Sequence, residues 1–146
     1  LNEDGWSDLP RFAEWRARFS PAPNADSYLA EHLDLTSAVL FARLMLPNFI
    51  VVRDCVLIED KFDAARFDEW MATTGNDRIA VERVTNHLHL WDIFDPDGAV
   101  EESALIELAE SIAESWRSRG RAMFPDREFH SEVTDEYGPT VVMHSI

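Results

Sequence analysis

Between Thr85 and Asp95 the chain reads TNHLHLWDIFD, and here the spacing of its apolar residues changes. Upstream, Ile79, Ala80 and Val84 follow Asn76-Asp77 at helical intervals. From Asn86 the interval is two: His87, His89, Trp91 and Ile93 fall on one side, and Leu88, Leu90, Asp92 and Phe94 on the other. A helix carries its apolar stripe at intervals of three and four, whereas a strand alternates, so His87 to Phe94 is predicted as a strand. Although TNHLHLW could extend the helix by a turn, a strand follows more naturally than more helix.

The flanking segments agree with it. FIVVRDCVLIE, Phe49 to Glu59, is β-branched and apolar on both sides of Arg53-Asp54, which predicts a hairpin of strands Phe49–Arg53 and Cys55–Glu59. Its turn lacks the glycine that a two-residue loop favours. REFHSEVTDEYGPTVVMHSI alternates on either side of Tyr137-Gly138-Pro139, predicting a second hairpin with strands Glu128–Val133 and Thr140–Ser145. A three-residue loop, Glu136 to Gly138, would set Asp135 against Pro139 and His130 against His144.

Helices fill the remainder. Asp8 and Pro10 open one with Phe12, Trp15 and Phe19 as its stripe, and SPAPNADS, Ser20 to Ser27, breaks it. A short helix around Tyr28 to Leu35 and one capped by Thr36 and ending at Pro47 come next. Asp63 caps a helix bearing Phe67, Trp70 and Met71. Beyond the DPDG turn, Val100 to Arg119 carries Leu105, Leu108, Ile112 and Trp116 on one face, with Glu101 and Glu102 at its start and Gly120 at its end. The expectation is one α+β domain, residues 1–146, with an antiparallel sheet of about five strands packed against amphipathic helices. Its core should hold Val51, Leu57, Phe67, Trp70, Leu90, Leu105, Leu108, Ile112 and Trp116.

Charge is the strongest compositional signal. Against 28 acidic residues stand 13 basic ones, a net of −15 with neutral histidines. That exceeds the magnitude of about 2–8 that keeps a small domain soluble. A field of this sign repels phosphate backbones and anionic membranes and attracts basic proteins. No apolar run approaches the ~20 residues of a membrane helix. LNEDGWSDLP has no basic segment leading into an apolar one, so no secretory signal is expected there. The one cysteine, Cys55, sits in an apolar strand and is expected to be an inert buried thiol, which suits a reducing cytoplasm.

His87 and His89 carry the only chemical suggestion. On a strand they would project from one face about 6.5–7 Å apart along the chain, and imidazoles so placed can converge on a zinc ion. The second pair, His130 and His144, would complete a four-histidine alternative. An H-x-H pair is a weak motif, and solvated or hydrogen-bonded histidines beside Trp91 are the expected state, with no bound metal or cofactor. The DPDG segment fails as a calcium loop, because Ile93 and Ala104 fall where carboxylates are required. No Gly-x-Ser-x-Gly elbow and no phosphate-binding glycine loop occur.

The balance leans away from an enzyme. The expectation is an acidic, cytoplasmic protein-interaction domain, regulatory or antitoxin-like, that meets a basic partner and not nucleic acid or membrane. The competing expectation is a metal-assisted or small-molecule enzyme using the sheet face of His87, His89 and Trp91. A deep polar cavity over that face would favour the enzyme, and an acidic surface with an exposed apolar centre the binder.

Overall fold

A computed structural model describes residues 5–146. Residues 1–4, part of the segment read for a secretory signal, lie outside the described residues. Among the described residues six α-helices and five strands follow one another as α1 (Pro10–Arg16), α2 (Ala25–His32), α3 (Leu35–Met45), β1 (Phe49–Val52), β2 (Cys55–Ile58), α4 (Ala64–Thr73), α5 (Arg78–Thr85), β3 (His87–His89), α6 (Ala99–Met123), β4 (Phe129–Thr134) and β5 (Thr140–Ser145). The class is α+β and all pairing is antiparallel, as expected. The strands form two sheets and not one: β1 pairs with β2, while β3 and β4 flank β5.

Local chemistry explains most elements. Asp34, Asp63 and Asp77 each accept the amide of the residue three positions on, capping α3, α4 and α5. The β1–β2 turn holds Arg53 and Asp54 both at positive φ, 46° and 68°. This gives the two-residue hairpin without glycine. Arginine contacts hold it: Arg127 donates to the Asp54 carbonyl at 2.8 Å and pairs with its carboxylate, and Arg53 pairs with Asp68 at 2.7 Å.

Several expectations need correction. Asp8 does not cap α1, whose N-cap is Leu9 without a side-chain hydrogen bond, and α3 is capped by Asp34 and not by Thr36, which lies inside the helix. The strand from His87 ends at His89. Leu90 N–H reaches the Pro139 carbonyl at 3.0 Å, and the amides of Ile93 and Phe94 then turn back to the Leu90 carbonyl, so Leu90–Asp92 is a 3-10 turn. The long helix does not stop at Gly120. That glycine lies within α6 because the Phe129 ring packs over it, 3.1 Å from where a Cβ would stand. Of the expected core, Val51 and Trp70 are 48% and 38% exposed. Val51 lies toward the hairpin tip, and Trp70 flanks the Phe67–Met71 stripe that faces inward. Leu108 is half-buried against the core, and the other six are buried.

The sheets share a seam built from side chains. One core packs Phe49, Val56 and Ile58 with Leu90, Ile112, Trp116, Phe129, Val141 and Met143, and a second packs Cys55 and Leu57 with Phe67, Met71 and Val81. Between β2 and β5, where a single sheet would have continued its ladder, α5 inserts Glu82 and Asn86, both 0% exposed. Glu82 accepts from Val56 N–H at 2.9 Å, from Ser145 N–H, and from the Ser145 hydroxyl at 2.9 Å, with Arg78 at 3.3 Å. Asn86 accepts from Ile58 N–H at 2.8 Å and donates to the Val56 carbonyl at 2.8 Å, while its own carbonyl takes Met143 N–H at 3.0 Å. Buried backbone groups of β2 and of the end of β5 beyond β3 are thus satisfied by the side chains of two residues four apart, with the Asn86 carbonyl taking Met143 N–H, which removes the need for direct pairing of β2 with β5.

Candidate functional site

The β3–β5–β4 sheet has one face on α6 and one turned away from it. Its register aligns His87 with Val142 and Glu132, His89 with Thr140 and Thr134, and His144 with His130. Strand alternation therefore puts all four singled-out histidines on the face opposite Val141 and Met143. The pairing of His130 with His144 is as predicted, although the ladder closes at Thr134 and Thr140, so the loop spans residues 135–139.

The histidines sit there as two pairs. His87 and His89 have ring centroids 4.8 Å apart, and those of His130 and His144 are 5.3 Å apart. His87 Nδ1 lies 2.7 Å from the Val84 carbonyl, an acceptor, so Nδ1 carries the proton and donates. The Thr140 hydroxyl donates its single proton to the Gly138 carbonyl at 3.1 Å, so it accepts from His89 Nδ1 at 2.8 Å. In neutral His87 and His89, Nε2 is consequently the lone-pair nitrogen. Burial pushes His87 below the ordinary imidazole value, more than the Val84 carbonyl and the Asp92 charge raise it, and Lys61 and His89 act in the same sense as burial. Across Val142, Arg83 pairs with Glu132 at 2.6 Å and holds its carboxyl below the usual carboxylate range, while His130 Nε2 stands 3.8 Å from the other Glu132 oxygen. Among the described residues no group of three or more His, Cys, Asp or Glu is arranged to hold a metal ion.

Trp91 reaches this site differently from the sequence expectation. It stands on the 3-10 turn and not on the strand, and it joins the histidines through Tyr137, whose ring lies 5.8 Å from Trp91 and 5.5 Å from His89. Gly138, at φ 63°, lets the indole lie on the loop, since any Cβ there would overlap it. Tyr137 was missed from sequence, and its only signal was its place in the turn beside Gly138.

Neither of two cavities is lined by any of the four histidines. One, of about 910 Å³, lies between the N-terminal segment and the start of α6, with Leu9, Phe94, Val100 and Leu108 in its wall and the carboxylates of Asp95 and Glu101 beside them. The other, of about 300 Å³, is lined by Trp91, Ile106, Val133 and Pro139. Cys55 is buried, and burial pushes its thiol upward, away from the reactive thiolate.

The largest departure from ordinary burial is elsewhere. Neither α2 nor α3 contains a buried residue. α2 is held to α1, where Trp15 Nε1 donates to Glu31 at 2.9 Å and the Tyr28 ring packs edge-on to Phe12 and Trp15; α3 is held at its end, where Trp116 Nε1 donates to the Leu44 carbonyl at 2.8 Å and the Ser115 hydroxyl to the Met45 carbonyl at 2.6 Å, satisfying carbonyls that a helix terminus leaves free. Before that anchor Leu29, Leu33, Leu35, Val39 and Leu40 are all exposed, Leu35 at 80% and Leu40 at 62%. No described helix is long and apolar enough to cross a membrane. Compared with known proteins, the chain matches no family model, no curated protein and no solved structure.

Proposed function

We propose that this protein is a cytoplasmic, non-catalytic interaction domain whose acidic surface receives a basic protein partner, in a regulatory or antitoxin-like role. One observation carries the reading: LTSAVLFARLM, the whole of α3, is apolar nearly all round yet has no residue buried in the chain. A helix of that composition is normally enclosed, so its cover comes from another molecule. The net charge of −15 selects the sign of that molecule and would speed its approach. Nucleic acid and anionic membranes are disfavoured by the same field.

Affinity capture from the native host lysate at low and high salt, followed by mass spectrometry, tests this. The expected result is a basic protein enriched at low salt and released at high salt. Retention of a metabolite or ion instead would overturn it.

A second reading draws on the ring contacts joining His87, His89, Tyr137 and Trp91: a polar binding face serving a small-molecule or metal-assisted enzyme. It predicts near-stoichiometric zinc in protein purified without chelator, lost when His87 and His89 become alanine.

A further inference from the structure

We infer that the exposed faces of α2 and α3 are the docking surface for a basic amphipathic helix of the partner, which lays its apolar stripe across Leu33, Leu35, Val39 and Leu40. The inference rests on the interaction-domain reading and adds the place and the chemistry of the contact.

Anchorage supplies the geometry. Because α3 is held at Leu44 and Met45, its first two turns project from the core with apolar residues at positions 35, 39 and 40, and Leu33 stands just before its Asp34 cap. Apolar side chains at such helical spacing offer ridges that a second helix can engage.

Charge supplies the occupant. Residues 25–46 contain three acids, Asp26, Glu31 and Asp34, against one arginine, Arg43. Arg43 is already bound by Asp60, at 2.7 Å from Nη2 and 3.2 Å from Nε. The Ser37 hydroxyl and amide hold Asp34 below its ordinary value, keeping it charged. Within residues 25–46 the charge around the apolar centre is thus negative, with Arg43 already paired. A second copy would bring the same acidic rim to the contact, and each chain carries −15, so charge opposes self-association and favours lysine or arginine flanking an apolar stripe.

The test uses the full chain and two labelled peptides of identical Leu/Lys composition. One has leucines spaced to form an amphipathic helix of about 18 residues, and the other is its scrambled isomer. Fluorescence anisotropy at low salt should show the amphipathic peptide binding at least about tenfold more tightly than the isomer, and Leu35→Ser with Val39→Ser should weaken it by at least about tenfold. Both substituted residues are exposed, so the thermal midpoint should not move. Equal binding of the two peptides would reduce the contact to charge alone and overturn the inference. Loss of binding on Glu101→Gln with Glu107→Gln, but not on the arm substitutions, would move the site to the groove beside α6, overturning the location while leaving the interaction reading intact. A dimer in sedimentation equilibrium that the arm substitutions dissolve would assign the surface to a second copy. Binding of neither peptide would count against the basic-partner reading itself.

Discussion

The seam at α5 and the arm of α2 and α3 break the ordinary rule of burial in opposite directions. At the seam a carboxylate and an amide, Glu82 and Asn86, are wholly enclosed. On the arm Leu35, Val39 and Leu40 face water. The seam is complete within the chain, because Glu82 and Asn86 between them take the amides of Val56, Ile58 and Ser145 and supply a donor to the Val56 carbonyl. The exposed apolar residues of the arm, Leu35, Val39 and Leu40, have no such internal answer among the described residues. A buried polar group that is fully paired is a feature of the fold, while an unpaired apolar surface is a feature of something beyond the fold.

That contrast breaks most readily at Glu82. Glu82→Ala would strand the buried amides of Val56 and Ser145 and leave Arg78 without its helical partner, and the expected loss is about 3–5 kcal/mol in urea unfolding. A loss under about 1 kcal/mol would mean that the two sheets hold together without it. Asn86→Ala removes one acceptor and one donor, both neutral, so a smaller loss of about 2–3 kcal/mol is expected. Asn86→Asp should be no better, because a carboxylate cannot donate to the Val56 carbonyl.

Gly138→Ala probes the site on the sheet's outer face. The loop must move to clear the Trp91 indole and alanine must adopt φ 63°, so about 1–3 kcal/mol should be lost together with a change in near-ultraviolet circular dichroism. An unchanged aromatic signal would contradict the Trp91 placement. The smallest effect belongs to His87. Burial lowers its native value, so as pH falls the unfolded chain takes the proton first. The stability contributed by neutral His87 is complete above about pH 6.5 and declines as pH falls toward the depressed native value. Wild type should therefore show a steeper loss of stability on acidification than His87→Gln, measured by urea midpoints across that range.

How much of this was legible depended on the reach of each signal. Caps and hairpins are local: Asp63, Asp77 and the register of His130 with His144 could be read because alternation and capping act over a few residues. The end of β3 could not, since it depends on Pro139, far along the chain, taking the Leu90 amide. Glu82 and Asn86 were not singled out in the sequence, and only the meeting of β2 with β5 makes them interior. Their i, i+4 spacing with Arg78 before them was the one available clue. Trp91 was singled out but assigned to the wrong element, and Tyr137, its link to His89, is invisible without the loop geometry. The exposure of the arm was not legible for the opposite reason. Its apolar pattern is a strong local signal for burial, and what it cannot encode is whether the covering surface belongs to the same chain.

Native-state hydrogen exchange tests the contrast between seam and arm most directly. The amides of Val56, Ile58, Met143 and Ser145, all accepted by Glu82 or Asn86, should be among the slowest in the chain and exchange only by global unfolding. Amides of α2 and of Val39 to Phe41 in α3 should exchange orders of magnitude faster in the free protein, because few buried contacts hold those turns closed. Arm amides as protected as those of the seam would contradict the account, since the arm would then be stable without a partner to cover it.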